Sequence, residues 1–408
     1  MYGYSFLDDC VLLYPVYALL FSDTDLSTTQ ISSLFVLWSL TGILLEVPSG
    51  ALADAVSRRL LLWTGPLLTA TGFALWVLVP SYGTFALGFV LWGAKGACGS
   101  GALEALVYEE LARLGAANDY ARVMGRARTA SLLGVMTATA LAGPALATGG
   151  YGLVGTASVA ACVLTAGAAR GLPEHRGGSQ ADSDADEPGG EGWWGALRAG
   201  VAEARGDRAV RAALLLVPAV TAVWGALDEY TPLLVREAGA GDAEVPWWLL
   251  LIWVGATAGS LLAGAVRGVG TAGLAGLLAG AGLALAAGTA LPPHGLRLPA
   301  AITLIALAFC AFQLTTVLAD ARLQAGVRGP SRATVTSLAG AATDLTTVAV
   351  YAAYGLLASR TTHGTTFALF AAPYVVTALA LTLPLATSGR RGGSHPCGPC
   401  RHDHTAPD

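Results

Sequence analysis

The chain contains 408 residues, of which 54% are hydrophobic and only 12% are charged, and its mean hydropathy is +0.59. Soluble domains carry about 25% charged residues, so this composition excludes a soluble protein and indicates an integral membrane protein. The formal net charge of −4 gives no indication of nucleic-acid binding, and we expect none.

Twelve apolar windows follow one another along the chain, each with roughly the 20 residues that a membrane-crossing helix needs. We number them span 1 to span 12. In the first half they fall near residues 3–21, 31–53, 60–79, 84–107, 129–147 and 153–169, with an amphipathic extension of span 4 at 109–116. In the second half they fall near residues 210–234, 247–266, 270–291, 298–319, 333–358 and 365–386. The pattern predicts two sets of six helices.

Residues 171–207 differ from the spans because they are acidic and rich in glycine. Such a stretch has too few apolar side chains to fold by itself, so we interpret it as a partly disordered cytoplasmic linker. Trp193 and Trp194 beside Arg198 fit a short helix on the membrane surface, or else an early start of span 7. The predicted domains are a six-helix bundle at 1–170, the linker at 171–207, a second bundle at 208–387 and a tail at 388–408.

The tail contains Cys397-Gly-Pro-Cys400 between His395 and His402. Cysteines and histidines at such spacing can bind metal ions, and Cys-Gly-Pro-Cys is the redox motif of thioredoxins. We interpret the segment as a disordered cytoplasmic tail and leave metal binding and redox chemistry open as alternatives. We expect no enzyme activity and no cofactor, since the sequence lacks Walker, dinucleotide-binding and His-Glu-x-x-His motifs.

Arginine residues are distributed unequally between the loops on the two sides of the predicted spans. Nineteen arginines lie in the tail or in loops that follow even-numbered spans, whereas the other loops contain only Arg236, Arg297 and Arg360. Loops rich in arginine stay in the cytoplasm. The distribution therefore supports the count of spans and predicts a plasma-membrane protein with both termini in the cytoplasm.

The end of span 2 and the start of span 3 carry an ordered motif of six residues: Gly50, Leu52, Ala53, Asp54, Arg58 and Arg59. This motif resembles the signature loop between the second and third helices of the major facilitator superfamily. The chain departs from the family pattern at Ser57, where the family has glycine. The resemblance implies an all-α membrane protein with 12 transmembrane helices in two pseudo-symmetric six-helix bundles, which transports by alternating access.

The same resemblance assigns a gating role to the motif. Asp54 is expected to meet the start of span 11 near Arg332, where helix-terminal amides and a guanidinium favour a carboxylate. Breaking this contact would open the cytoplasmic side. The other members of the predicted gate are Gly50, Arg58 and Arg59.

Two further matches concern the mode of transport. The segment Glu46-Val-Pro-Ser-Gly50 resembles a variant found in drug-efflux members of the superfamily. Gly143-Pro144 in span 5 is similar to the Gly-Pro signature that the superfamily's antiporters carry in that helix. Both matches favour export.

Ionisable side chains inside the spans are the main functional candidates, because each costs at least about 2.5 kcal/mol near the membrane centre and needs a partner or a water-filled path. Four carboxylates are candidates for proton coupling: Asp8, Asp9, Glu46 and Asp344. The resemblance places the central cavity between spans 1, 4, 7 and 10. Its further candidate residues for binding substrate are Lys95, Asp228, Glu229 and Gln313.

Each ionisable candidate also has a structural explanation. Lys95 is the only lysine and can release a proton where arginine cannot, but it can also form a fixed ion pair with a carboxylate of a neighbouring helix. Asp8 and Asp9 can stabilise the start of a helix. Glu46 can pair with an arginine, and Asp344 can be a satisfied polar contact.

The expected function is secondary transport by proton-coupled efflux of amphipathic, drug-like compounds. The proton gradient supplies the energy, the partners are the substrate, protons and the lipid bilayer, and a monomer suffices. One alternative keeps the fold but makes the protein an importer or uniporter of a small polar metabolite. A second alternative is a membrane sensor or scaffold that does not transport.

Overall fold

The computed structural model of the chain describes residues 1–55, 57–99, 101–174, 208–266, 268–291, 297–326 and 332–388. Within these ranges, nothing is described of the side chains at 46–55, 98, 208–210, 213, 297, 326, 332–334 and 383–388. The predicted linker beyond Glu174 and the predicted tail beyond Ser388 lie outside the described residues. The described part is almost wholly helical and contains no strand.

Each predicted span corresponds to a helix, to a pair of helices or to half of one long helix. Spans 2, 3, 8, 9, 10 and 11 are Thr28–Ala55, Arg58–Leu78, Val245–Ala265, Thr271–Ala290, Arg297–Gly326 and Arg332–Ala358. Spans 1, 4, 7 and 12 are interrupted: Tyr2–Asp9 and Tyr17–Asp23, Tyr82–Gly99 and Ala102–Arg113, Arg208–Asp228 and Thr231–Glu237, and His363–Phe370 and Ala372–Ser388. The sequence pattern did not predict these interruptions.

Spans 5 and 6 form one helical segment, Tyr120–Arg170, which is divided by a kink. A straight helix of 51 residues would be about 75 Å long at 1.5 Å per residue, more than twice the thickness of the hydrocarbon core. Gly150 breaks it with φ 58° and ψ −161°, a conformation that is open to glycine and strained for other residues. The glycine therefore reverses the chain between two crossings.

Spans 1 to 6 pack as one bundle and spans 7 to 12 as a second. In the first bundle, spans 1 and 3 pack on the kinked helix of spans 5 and 6, and span 4 packs between spans 2 and 3. In the second, span 10 contacts spans 7, 8 and 9, and span 9 also contacts span 12. The two bundles meet along spans 2 and 11 and along spans 5 and 8. The seam between the bundles is thus built from equivalent spans of each half.

Glycines allow spans 8 and 10 to approach closely. A Cβ added at Gly255 would overlap the carbonyl oxygen of Ala306, and one at Gly259 would overlap that of Cys310. Small residues at a four-residue spacing bring helix backbones together in membranes, where burial of apolar surface adds little to helix association. The tight packing makes this part of the second bundle a firm support for span 7.

We name the two faces of the molecule by its termini. Span 1 starts and span 12 ends on the near face, and the loops at 24–27, 79–81, 238–244 and 359–362 lie on the far face. The described hydrogen bonds between the bundles join Asp23 to Arg236, Thr29 to Gly355, Ser32 to Tyr230 and Tyr17 to Glu229. These residues lie in the middle or at the far ends of their spans. The bundles are therefore closed against each other toward the far face.

Candidate functional site

A cavity of about 450 Å³ lies between the bundles on the near side of the closed contact. Trp38 of span 2 and the small residues of span 4 form one wall, and Glu229 of span 7 with Asp344 and Tyr351 of span 11 form the other. The volume falls within the range of about 300–1,000 Å³ that small-molecule sites have. Both bundles contribute aromatic rings to this cavity, and its two carboxylates, Glu229 and Asp344, come from the second bundle.

A smaller section of about 170 Å³ adjoins this cavity. It shares Trp38 and Glu229 with the larger section, so the two are parts of one site. Its remaining lining includes the aromatic side chains Tyr14, Tyr17, Trp92 and Trp253 and the carboxylate of Asp228. We call the two sections together the central cavity.

Aromatic rings of the first bundle form the wall of the smaller section. Tyr14 stacks on Trp92 with ring centroids 5.1 Å apart, and Trp38 stacks on Trp92 at 4.6 Å. Phe73 holds Tyr14 edge-on from behind at 6.2 Å. Rings packed against one another have little freedom to move, so this wall is preformed rather than assembled around a ligand. The sequence analysis did not single out these aromatic residues, although tryptophan and tyrosine in three neighbouring spans were a visible signal.

The carboxylates of span 7 lie at the interruption of that span. Asp228 is the last residue of the first helix, Glu229 follows it, and the second helix starts at Thr231 with Pro232 in its first turn. The hydroxyl of Tyr17 in the other bundle donates a hydrogen bond to Glu229. Asp228 has no hydrogen-bond or ion-pair partner among the described residues. Asp228 and Glu229 thus both line the central cavity, and their role in binding substrate stays a prediction.

The structure places Lys95 elsewhere. Its ammonium group lies 2.8 Å from a carboxylate oxygen of Asp8, and its Cγ packs against Gly65 of span 3. Both partners are largely buried, with side-chain exposures of 18% and 23%. Lys95 and Asp8 therefore form an ion pair inside the first bundle, outside the described lining of the central cavity.

The other predicted site residues are separated from one another. Gln313 donates a hydrogen bond of 2.9 Å to the Ser260 hydroxyl between spans 10 and 8, outside the described lining of the cavity. Asp9 is half-buried beside Asp8. Asp344 lies in the cavity wall and has a further polar or electrostatic interaction. The side chain of Glu46 lies outside the description.

The gating motif is described only on its span 3 side. Ser57 is the N-cap of span 3, where its hydroxyl accepts a hydrogen bond of 3.1 Å from the Leu60 amide. This cap explains the departure from the family's glycine, since serine is among the preferred N-cap residues. Arg58 forms an ion pair with Glu109, and its amide donates a hydrogen bond of 2.9 Å to Glu174.

The predicted contact between Asp54 and Arg332 stays a prediction. Both residues belong to described helices, Thr28–Ala55 and Arg332–Ala358, but their side chains lie outside the description, as does the contact of Gly50. Arg59 lines a near-face depression together with Trp63 and Arg170, and the Arg170 guanidinium lies 4.6 Å from the centre of the Trp63 ring. Among the described residues, two members of the motif, Arg58 and Arg59, thus contact the extension of span 4 and the end of span 6.

A polar network joins the bundles at the far face. Arg236 of span 7 donates hydrogen bonds of 2.7 Å to Asp23 of span 1 and 2.8 Å to Asp242 in the loop before span 8. The Tyr151 hydroxyl donates to the second oxygen of Asp23 at 2.6 Å. Arg236 is one of the three arginines that the loop count had placed on this side. The network is a contact that has to break if the cavity is to open to the far face.

A site enclosed between two six-helix bundles is the arrangement of an alternating-access membrane transporter. The sequence matches the family model of the Major Facilitator Superfamily over residues 5–351, and the chain belongs to this superfamily of transporters. No curated protein is matched by the sequence. The superfamily predicted from the motif at Asp54 is thereby confirmed, as is a multi-pass membrane transporter, whereas the drug-efflux subtype stays a prediction.

Solved transporter structures share the fold. A point mutant of the nucleoside transporter NupG matches with a TM-score of 0.73 at 13% identity, covering 93% of this chain and 98% of that chain. A bacterial homolog of the human lysosomal transporter Spinster gives 0.66 at 16% identity, covering 93% and 95%. The D-xylose–proton symporter gives 0.63 at 14% identity, covering 93% and 94%. The likeness confirms the predicted all-α fold of 12 transmembrane helices in two bundles and shows nothing of the substrate.

Proposed function

We propose that the protein is a proton-coupled antiporter that exports amphipathic, drug-like compounds across the plasma membrane. The near face is then the cytoplasmic face and carries both termini, in agreement with the arginine distribution. The central cavity receives the substrate from the cytoplasm, and rocking of the two bundles transfers it to the far side. The proton gradient supplies the energy, and a single chain contains the whole site.

The observation that carries the direction of transport is the position of Gly143-Pro144. Gly143 is buried where spans 5 and 8 meet, and a Cβ added there would overlap the carbonyl oxygen of Ala243 and approach the Trp247 indole nitrogen to 3.2 Å. Pro144 lies inside the helix and removes one backbone donor. The pair that resembles the antiporter signature thus lies in the seam that seals the cavity from the far face. Any proton-coupled transporter needs this seal, because a leak would dissipate the proton gradient without moving substrate. The direction of export is supported by the likeness of the pair to the antiporter signature.

The wall of the central cavity supports an amphipathic substrate over a polar metabolite. The rings of Tyr14, Trp38 and Trp92 and the side chain of Leu249 present mostly apolar surface. A sugar or nucleoside would leave the hydroxyl groups that lie against these rings without partners, and each unpaired polar group costs about 1–3 kcal/mol. An apolar ring system loses nothing there.

Proton coupling needs a carboxylate that is charged in one state of the cycle and neutral in another. The candidates are Asp8, Asp9, Glu46 and Asp344. Asp344 lines the larger section, where water and substrate can both reach it, so we place it first among them. Asp8 is held by Lys95 and can take part only if that ion pair opens. The predicted gate between Asp54 and Arg332 would close the near face in the other half of the cycle.

Substrate-dependent proton movement in proteoliposomes tests this proposal. Purified full-length protein is reconstituted with a pH-sensitive dye inside the vesicles, and an outward substrate gradient is applied for each member of a panel of amphipathic compounds. Exchange predicts that protons enter as substrate leaves, and that Asp344→Asn abolishes the proton signal. The matched control is Asp320→Asn, which changes a carboxylate of span 10 outside the described cavity lining.

The alternatives give different results in the same vesicles. Co-directional movement of protons and a polar compound would show an importer, and movement of substrate without protons would show a uniporter. A sensor or scaffold would transport no compound of the panel. In cells, export predicts that deletion of the protein increases sensitivity to a toxic compound, whereas import predicts a growth requirement.

A further inference from the structure

We propose that the central cavity binds a lipophilic organic cation, whose charged nitrogen lies at the interruption of span 7 beside Asp228 and Glu229 and whose ring system lies against Tyr14, Trp38 and Trp92. The inference rests on the proposed transport function, since it names the substrate class of the same cavity. It assigns the cation-binding role to the second bundle, while the only lysine of the chain stays in the first.

The balance of charge in the cavity is the first argument. Asp228 and Glu229 line the smaller section, and no lysine, arginine or histidine lines it in the part of the chain that the structure describes. Ionised carboxylates in a membrane-spanning site need compensation from a cation or a proton. Lys95 is engaged by Asp8 at 2.8 Å and cannot supply it without leaving that partner.

The helix interruption is the second argument. Asp228 is the C-terminal residue of the helix Arg208–Asp228, so its carboxylate lies at the negative end of the helix dipole. A carboxylate is disfavoured at this position, and a cation is favoured. Transporters use the C-terminal ends of interrupted helices at mid-membrane to hold cations. The negative end of this dipole and the two carboxylates act in the same direction on a ligand at Asp228, while the start of the short helix Thr231–Glu237 contributes a smaller dipole of opposite direction.

The aromatic wall decides between an inorganic and an organic cation. A small metal ion needs several oxygen ligands at fixed distances, whereas five of the twelve residues that line the smaller section are aromatic and four more are apolar. Tyrosine and tryptophan rings attract ammonium and similar groups through their π-electrons, and they also accommodate an apolar body. The hydroxyl of Tyr17 occupies one side of Glu229, so Asp228 is the carboxylate that lies open to the ligand.

A pair of probes of equal shape and opposite charge tests the inference on the unaltered protein. Tetraphenylphosphonium and tetraphenylborate have nearly the same size and apolar surface, and equilibrium dialysis of each against the purified full-length protein in detergent gives its affinity. We expect the phosphonium to bind at least about tenfold more tightly than the borate. Equal binding, or tighter binding of the borate, would overturn the inference whatever happens to any variant.

Substitutions then locate the site. Asp228→Asn is expected to weaken phosphonium binding at least about tenfold, and Trp92→Leu is expected to weaken it to a lesser degree. Glu104→Gln is the matched control, because it neutralises a carboxylate of span 4 that lies outside both sections, and it should bind as the unaltered protein does. Size-exclusion profiles and thermal melts establish that the variants are folded. A folded Asp228→Asn variant with unchanged affinity would refute the assigned position.

The binding measurement is independent of the direction and energy source of transport, because it uses no membrane and no gradient. Tight phosphonium binding without proton exchange in proteoliposomes would remove the proposed antiport and keep the cation site. Proton exchange with neutral or anionic compounds, together with absent phosphonium binding, would remove the cation site and keep the antiport.

Discussion

Spans 1 and 7 are equivalent in the two bundles, and each is interrupted immediately after or within an adjacent pair of carboxylates. In span 1 the pair is Asp8 and Asp9, and Lys95 lies 2.8 Å from Asp8. In span 7 the pair is Asp228 and Glu229, with a tyrosine hydroxyl as the described donor and no basic side chain in the described cavity lining. The negative charge of the pair is thus compensated by a lysine in the first bundle, whereas no basic side chain of the described cavity lining compensates the pair in the second. We call the cavity around Asp228 and Glu229 the open site.

This difference indicates a division of labour between the bundles. An internal ion pair that is packed against Gly65 keeps its geometry whatever enters the cavity, so it contributes to the structure of the first bundle. Carboxylates without a basic partner can accept a proton or a cationic ligand and exchange one for the other. The carboxylate pairs of spans 1 and 7 are therefore best compared by removing the basic side chain from the first and by adding one to the second.

The largest expected effect comes from removing the lysine. Lys95→Met leaves Asp8 as a largely buried charge without its partner, which typically costs about 3–5 kcal/mol. We expect a marked loss of folded protein and a lower melting temperature in detergent. The double variant Asp8→Asn with Lys95→Met restores most of the stability, because neither charge is then left alone.

The double variant also separates structure from transport. If the pair is structural, the double variant binds and transports substrate nearly as the unaltered protein does. A double variant that is stable but fails to bind substrate would show that Lys95 acts in the cavity, as the sequence analysis predicted, and would break the comparison.

The number of spans and the superfamily could be predicted from the sequence because they follow from composition and a motif, whereas the orientation of the termini stays a prediction. Apolar length, arginine sidedness and the motif around Asp54 gave the superfamily and twelve spans. The boundaries of spans 2, 3 and 11 were predicted to within a few residues. Interruptions in spans 1 and 7 were not predicted, because apolar windows measure hydropathy and are insensitive to the φ and ψ angles that break a helix.

The sequence indicated which ionisable residues are candidates for the site, but it did not indicate which residues they contact. The resemblance had implied that Asp228 or Glu229 lines the cavity, and in the structure both do, together with the proton-coupling candidate Asp344. Their roles stay predictions. The sequence left two explanations of Lys95 open, a functional cavity residue or a fixed ion pair with a carboxylate of a neighbouring helix, and in the structure it lies 2.8 Å from Asp8 of span 1. Which side of span 4 faces the cavity depends on packing, and the small residues Gly93, Gly96 and Ala97 face it instead.

The second prediction concerns a positive charge added to the open site beside Asp228. Thr139 is a buried residue of span 5 in the lining of the smaller section, so Thr139→Lys places an ammonium group in the cavity with Asp228. Two like charges 4 Å apart repel by about 4 kcal/mol at an effective dielectric constant of 20. We therefore expect phosphonium binding to fall by at least about 100-fold, equivalent to roughly 2.7 kcal/mol, while the protein stays folded.

Thr129→Lys is the control for this experiment, because it adds the same charge at an exposed position of the same helix. It should leave binding unchanged. A Thr139→Lys protein that is folded and binds phosphonium normally would show that Asp228 already has a partner or that the ligand binds elsewhere.

The third prediction concerns the hydroxyl that the open site uses in place of a lysine. Tyr17→Phe removes the hydrogen bond to Glu229, which also crosses between the bundles. Hydrogen bonds to charged groups contribute about 1.5–3 kcal/mol, so we expect the closed far face to open about tenfold more often. Hydrogen–deuterium exchange of residues 24–27 and 238–244 should then be faster.

Tyr82→Phe is the matched control for Tyr17→Phe. It removes a hydrogen bond of 3.0 Å between Tyr82 and Ser33, which lies on the far side but stays within the first bundle. Exchange at 238–244 should be unaffected. Equally faster exchange at 238–244 in both variants would mean that the hydrogen bond from Tyr17 to Glu229 does not keep the two bundles closed.

The smallest effect on stability is expected from an ion pair that is exposed to water. Arg236 bridges Asp23 and Asp242 at the far face, with a side chain that is 25% exposed and partners that are 35% and 47% exposed. Exposed ion pairs contribute about 0–1 kcal/mol and are screened by salt. Arg236→Gln should therefore accelerate exchange at 238–244 by less than about fivefold, and added salt should reproduce the effect in the unaltered protein.

Arg360→Gln is the control, because it changes a far-face arginine without a described ion pair, and it should leave exchange at 238–244 unchanged. Arg236→Gln could instead reduce stability as much as Lys95→Met does. Exposure to water would then not explain why one ion pair is weak and the other strong, and the difference between the two bundles would need another cause.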